Sequence, residues 1–181
     1  MSDALKNANS PFLEAAAFAA RAHRGQFRKD GATPYVSHVF RVCLVLSKVF
    51  EIQDGQVLTA AILHDTLEDT TTDFDDLQEK FGLEVTQWVA CLSKDKRLPE
   101  REREKTYVKQ LTKAPWQVRV CKLADIFDNL MDLHQLPAGK RGHVLERLTS
   151  YVDCLSKLPP HEKLRRPLAL VRQLLEEIRT S

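Results

Sequence analysis

An all-α bundle of about eight or nine helices is what this 181-residue sequence predicts. Three observations carry the prediction. Apolar residues recur at helical spacing in one segment after another. Glycines and prolines fall where helices would start or stop. No alternating strand pattern runs longer than a few residues, and no repeat period appears. The length suits one domain, 1–181, with a full-sized core, and residues 1–10 are expected to be flexible.

The elements follow in order. "PFLEAAAFAARAHRG" is a first helix with Ser10 as N-cap, Pro11 at the first helical position and a stop at Gly25. In "YVSHVFRVCLVLSKVF" the residues Val36, Val39, Val42, Cys43 and Leu46 share one face. "DGQVLTAAILHDTLED" opens near Asp54 as its cap and reads as one helix. "DFDDLQEKFG" ends at Gly82, and "LEVTQWVACLS" follows. "LPEREREKTYVKQLTK" interleaves acids and bases at helical spacing, the mark of a solvated face. Pro115 starts "PWQVRVCKLADIFDNLMDL", and Gly139 or Gly142 precedes "HVLERLTSYVDCLSKL". Pro159 and Pro160 divide that helix from "HEKLRRPLALVRQLLEEIR".

Composition narrows the function. Hydrophobic residues make up 43% and charged residues 29%, a globular and soluble balance. A net charge of +2, with both signs mixed along the chain, excludes a general nucleic-acid binder but leaves room for a local basic pocket. Cys43, Cys91, Cys121 and Cys154 are far apart in apolar stretches with no CxxC, so they read as reduced, buried thiols rather than a zinc ribbon or redox pair. "MSDALKNANS" has no apolar leader core, and no run is long enough to span a bilayer. The expectation is a cytoplasmic protein with no membrane contact.

One stretch breaks the apolar pattern. "ILHDTLEDT", Ile62 to Thr70, sets a histidine and three acids among residues that need burial. On a helix His64 and Glu68 are one turn apart, as are Asp65 and Asp69. Burying such charges is costly without compensation, and a divalent cation is one efficient form of it. His38, amid core-like residues, and Asp125, in the apolar "CKLADIFDNL", would complete a set of two imidazoles and two carboxylates. Mixed nitrogen and oxygen ligands without thiolate favour Mn²⁺, Fe²⁺, Zn²⁺ or Mg²⁺. Taken singly, a buried His is ordinarily a hydrogen-bonded core residue, and charges one turn apart are ordinarily surface pairs. The ordered combination of H, HD and D, with ED one turn beyond HD, is far more specific.

That combination, with "AHRGQFRKDGATPYVSH", "AAILHDTLEDT" and "CKLADIFDNL", resembles the HD-superfamily metal-dependent phosphohydrolases, and among them the RelA/SpoT-type small alarmone hydrolases. The likeness runs from about Ala15 to Tyr151. It implies an HD-domain fold, one Mn²⁺ with zinc as the second choice, and removal of diphosphate from the 3′ position of guanosine tetra- or pentaphosphate. No room remains for the synthetase domain of the long family members. Matched position by position, it assigns the metal to His38, His64, Asp65 and Asp125, and the chemistry beside the metal to Glu68 and Asp69. It places Arg28, Lys29, Asn129, Arg147 and Tyr151 against the nucleotide. Lys94 and Lys96 in "SKDKR" are further candidates for holding phosphate.

The departures concern charge. Ile126 stands where the family usually has a basic residue, Asp128 where His or Tyr is frequent, Met131 in place of Arg, Val39 in place of Pro and Glu100 in place of Lys. Facing the nucleotide, they would make a less cationic pocket; pointing to solvent or core, with Lys94 or Lys96 restoring the charge, they would not. A weak choice between guanine and adenine is expected because no residue clearly reads guanine. Two rival readings stay open: hydrolysis of a related nucleotide (an adenosine alarmone or NADPH), and a non-catalytic nucleotide-binding regulator. The intact HD and ED pairs argue against the regulator.

Overall fold

Helix-forming segments and short punctuation alternate along the computed structural model, which describes residues 11–180. The first helices are α1 (Pro11–Ala22), α2 (Val36–Leu44), α3 (Gly55–Leu63), the single turn α4 (Thr66–Asp69) and α5 (Phe74–Phe81). After them come α6 (Leu83–Leu92), α7 (Glu100–Lys113), α8 (Trp116–Met131), α9 (Ala138–Ser156) and α10 (Glu162–Thr180). Helix α2 runs on into a wider π-turn at Val45–Val49, and a 3₁₀ turn spans Leu133–Gln135. Among the described residues there is no strand, only an isolated antiparallel bridge between Phe27 and Pro34. The fold is all-α, as the periodicity implies.

Helix α8 is the axis of the packing. It lies against α10, α2, α6 and α3, while α1 covers α3. Leu123, Ala124 and Ile126 of α8 are fully buried, as are Val39 and Val42 of α2 and Leu63 of α3. Each such Leu or Ile side chain contributes roughly 2 kcal/mol of hydrophobic stabilisation. Helix starts are fixed locally. The Asp54 carboxylate accepts from the backbone N–H groups of Gln56 and Val57, and Asp73 forms a capping box with Asp76. The segment between α1 and α2 closes on itself: Arg28 N–H donates to the Thr33 carbonyl at 2.7 Å and Tyr35 N–H to that of Gln26 at 2.8 Å. Gly31 turns this loop at φ +73°, a conformation that side-chain-bearing residues avoid.

The structure corrects several sequence expectations. The helix through "ILHDTLED" is broken: α3 ends at Leu63, and Asp65 sits at φ −100°, ψ −2° before α4. Local side chains supply the reason. His64 Nδ1 bonds to the Ala61 carbonyl at 2.8 Å and Thr66 Oγ1 donates to that of Leu63 at 2.7 Å, competing for acceptors that a continuing helix would use. Helix α9 starts at Ala138, ahead of both Gly139 and Gly142, because Pro137 provides the boundary. Of the four free thiols, Cys43 and Cys121 are buried but Cys91 and Cys154 are only partly so. The expected Ser10 cap and the expectation for residues 1–10 lie outside the described residues.

Candidate active site

The break after α3 is what assembles the site. It turns the Asp65 carboxylate towards His64 while α2 delivers His38 and α8 delivers Asp125. Ligand atoms of His38, His64 and Asp65 all lie within 4.8 Å of one another. Asp125 Oδ1 joins them, 3.2 Å from His38 Nε2 and 3.9 Å from His64 Nε2. Three helices and a connecting turn thus bring the four sequence-predicted ligands together.

Hydrogen bonds fix how these groups present themselves. A carbonyl oxygen only accepts, so His64 Nδ1 carries the proton it gives to Ala61. His64 Nε2, buried and without a hydrogen-bond partner among the described residues, then points a lone pair at Asp65 Oδ2, 3.0 Å away. His38 repeats the pattern: Nδ1 donates to the Asp128 carboxylate at 2.7 Å, and Nε2 faces Asp125 and Asp65. Lone pairs facing carboxylates need positive charge between them. In the protein alone that charge is a proton. Burial opposes it, but the neighbouring Asp65 carboxylate lifts the His64 pKa to about 9. Asp65 is in turn held well below the usual carboxylate range, against its burial, by His64 and then His38. The donor set, its burial and the unpartnered Nε2 all fit a divalent cation in the same place.

Around this cluster lies a cleft. Glu68, half-buried, accepts a 2.8 Å hydrogen bond from the Lys94 backbone N–H. Burial and the nearby Asp65 charge raise its pKa. Asp69 is bonded to Lys96 and also accepts from the Tyr35 hydroxyl at 3.4 Å. Lys29 and Arg147 line the cleft and make no side-chain hydrogen bond or ion pair among the described residues. Partial burial, Arg147 and Arg28 together lower the Lys29 pKa, a sign of cations crowded on one side of the cleft.

Other expected nucleotide contacts are engaged with the protein. Arg28 donates to Asp132 at 3.0 Å. Asn129 Nδ2 donates to Asp125 Oδ1 at 2.6 Å, steadying that carboxylate. Tyr151 is buried, accepts from Lys94 Nζ at 2.8 Å and bonds to Glu104. All three line the cleft.

Sequence reasoning missed Tyr35 and Lys122. The Tyr35 hydroxyl donates to Asp65 Oδ2 at 2.6 Å. Lys122 is buried beneath the cleft, donates to Asp125 Oδ2 at 2.7 Å and sits over the rings of Tyr107 and Tyr151. Burial alone would lower its pKa, yet Asp125 raises it well above the usual lysine value. The signal was its place one turn before Asp125 in an apolar run. The charge departures are corrected as well. Ile126 is fully buried in the core, Asp128 is buried against His38, Met131 is half-exposed, and none of them lines the cleft. Glu100 lies in an adjoining groove between α7 and α9. The cleft itself carries Arg28, Lys29, Lys94, Lys122 and Arg147, so it is cationic outside the ligand cluster.

Comparison with known proteins shows the family. The HD domain family model matches residues 15–152. The guanosine-3′,5′-bis(diphosphate) 3′-pyrophosphohydrolase MESH1 of Danio rerio is 37% identical over 167 residues, spanning 92% of this chain and 91% of its own length. The Homo sapiens protein of the same name is 44% identical over 133 residues, 72% of this chain and 74% of its own. A solved structure described as a metazoan ortholog of SpoT that hydrolyses ppGpp superposes with a TM-score of 0.80 at 35% identity, covering 91% of this chain and 96% of that one. A match of this extent settles the kinship: the chain belongs to the HD-domain family, on the branch that holds MESH1 and SpoT.

Proposed function

We propose that this protein is a metal-dependent hydrolase that removes the 3′-diphosphate of ppGpp or pppGpp, releasing GDP or GTP and diphosphate in the cytoplasm. Residues 11–180 act in this reading as one hydrolase domain around a continuous core. The observation that carries it is the junction of two features. A His₂Asp₂ cluster, buried but for Asp65, adjoins Lys29 and Arg147, cations that form no ion pair among the described residues, in one cleft. The first suits phosphoryl chemistry and the second a polyanionic substrate.

His38, His64, Asp65 and Asp125 would hold the cation, with Mn²⁺ the first choice and zinc the second. Such a cation supplies charge neutralisation at phosphoryl oxygens and lowers the pKa of a water. The protein's own groups do the rest. Attack of water at the phosphorus next to the ribose breaks the bond to the 3′-oxygen, which leaves with a proton. Glu68 is suited to accept the water's proton, because its raised pKa keeps a carboxylate basic beside the cluster. Asp69, tied to Lys96, orients the water in this assignment. Tyr35 and Asn129 hold the Asp65 and Asp125 carboxylates in place, while Lys29 and Arg147 bind the phosphates.

The test is direct. Purified protein with Mn²⁺ is incubated with ppGpp, and products are identified by ion-exchange chromatography and ³¹P NMR. GDP and diphosphate are expected. Release of monophosphate, or no turnover with any divalent ion while nucleotide still binds, would replace this reading with another nucleotide activity or with the regulator.

A further inference from the structure

Asp128, one of the residues that departs from the resembled pattern, is 1% exposed and lies directly behind the ligand cluster. Helical spacing puts it there. Asp125 and Asp128 on α8 and Asp132 just past its end follow one another at single turns, and His38 and Arg41 do the same on the facing α2. Asp128 Oδ2 accepts from His38 Nδ1 at 2.7 Å, and its Oδ1 lies 2.6 Å from Arg41 Nε. Arg41 also donates to Asp132 at 2.9 Å and 3.1 Å. Arg28 donates to Asp132 at 3.0 Å and stands 3.7 Å from Asp128. Two arginines thus alternate with two aspartates, and His38 joins that network through Asp128.

The two histidines are therefore held differently. His64 is oriented by a backbone carbonyl, which no side-chain substitution removes. His38 is oriented by a side-chain carboxylate. That carboxylate fixes the proton on Nδ1 and leaves the Nε2 lone pair facing Asp125 and Asp65, at 3.2 Å and 3.6 Å. We propose that Asp128, held in place by Arg41, is a positioning residue that sets the ring orientation and tautomer of His38 and so tunes the affinity of the cluster for its divalent ion. The proposal rests on reading the cluster as a metal site. Removing such an outer partner costs about 10–100-fold in metal affinity or activity. A neutral amide at position 128 can turn its NH₂ towards Nδ1, which moves the ring proton to Nε2 and blocks the ligating lone pair. An ion pair serving only to join α2 to α8 would change stability and leave the His38 ring unchanged.

The experiment uses the full chain as wild type, Asp128→Asn and Arg41→Gln. Mn²⁺ and Zn²⁺ dissociation constants are measured by chelator competition, melting temperature follows the fold, and ¹H–¹⁵N spectra of the metal-free protein, recorded at a pH high enough that the His38 ring is neutral, report its tautomer. The wild type should bind one ion per chain with the His38 proton on Nδ1. Asp128→Asn should bind about 10–100-fold more weakly and show the other tautomer. Arg41 has a side chain 40% exposed, so its variant should fold, and it should bind several-fold more weakly than wild type. A folded Asp128→Asn protein with wild-type affinity and tautomer overturns the proposal. Should that variant not fold, wild-type affinity in Arg41→Gln overturns it instead. A wild type that binds no divalent ion overturns the reading of the cluster itself, and the proposal with it.

Discussion

His64 Nε2 stands 3.0 Å from Asp65 Oδ2 while His64 Nδ1 donates its proton to the Ala61 carbonyl. Two electron-rich atoms at that distance are held together only by a charge between them. In the protein alone that charge is a proton, and in the reading proposed above a divalent ion would replace it beside Asp125 and His38. Asp65→Ala should therefore abolish bound metal and turnover together, while the helices keep their packing because the ion sits in a cleft beside the core. Elemental analysis and circular dichroism of both proteins check this. Equal metal content in variant and wild type would remove Asp65 from the site.

The same geometry fixes a pH dependence. The His64 pKa is raised from 6.5 to about 9 in the metal-free protein. Its stabilising contribution is then fully present below the unfolded-state value near 6.5 and is lost as pH rises through about 9. The metal-bound protein should show the opposite trend, since ligation needs the neutral imidazole and the ion displaces the proton. Melting curves from pH 6 to about 9.5, with and without Mn²⁺, are expected to diverge as pH rises. Parallel curves would mean that His64 neither carries the proton nor meets the ion.

Glu68 is separable from the ligands. Its carboxylate takes a hydrogen bond from the Lys94 backbone N–H, which a glutamine oxygen can also accept. Glu68→Gln should keep metal near the wild-type level and lower kcat by roughly a hundredfold or more, the scale of losing a general base. Metal lost along with activity would make Glu68 a ligand.

Much of this was legible in the sequence, and the reason is periodicity. Helical spacing located the helices, and the order of His38, His64–Asp65 and Asp125 pointed to one cluster, because such charges in apolar helices require a common partner. What stayed hidden depended on direction rather than spacing. The break at His64 comes from side chains capturing the carbonyls of Ala61 and Leu63, which no pattern of polarity records. Arg28 was expected against the nucleotide, but its partners, Asp128 on α8 and Asp132 just past its end, lie far along the chain, out of reach of any local rule. Lys122 was passed over because the two tyrosine rings that surround it come from other helices.

The cleft cations should divide by their partners. Lys29→Ala and Arg147→Ala remove charges that form no ion pair among the described residues, so each should raise KM for ppGpp with little loss of stability, and the effect should shrink at high salt. Arg28→Ala leaves Asp132 with one arginine instead of two, so it should lower the melting temperature as well. Steady-state kinetics at two salt concentrations and thermal melts separate the two classes. An unchanged KM in both Lys29 and Arg147 variants would move phosphate binding elsewhere.

Substrate choice no longer follows from the charge departures, because Ile126 and Asp128 are buried away from the cleft and Glu100 lies in the neighbouring groove. Glu100→Lys should accordingly change the KM for ppGpp by less than about threefold, the size of a screened surface effect. The expectation of weak base discrimination keeps its own ground, the lack of a residue that clearly reads guanine. Among the described residues lining the cleft, the Asn129 amide is the neutral group best able to read a base edge. Its Nδ2 is given to Asp125 and its Oδ1 faces Arg28 at 3.5 Å. The rest of the lining offers charge for phosphates, the hydroxyls of Tyr35 and Tyr151 engaged with Asp65 and Glu104, the buried Tyr107 hydroxyl, and apolar surface such as Phe27 and Val144 that accepts either purine. In competition at equal concentration, ppGpp and its adenosine counterpart should differ in kcat/KM by less than about tenfold, the range that shape alone supplies. A preference of about a hundredfold for guanosine would require a hydrogen-bonded base contact, and the Asn129 amide would have to leave Asp125 to make it.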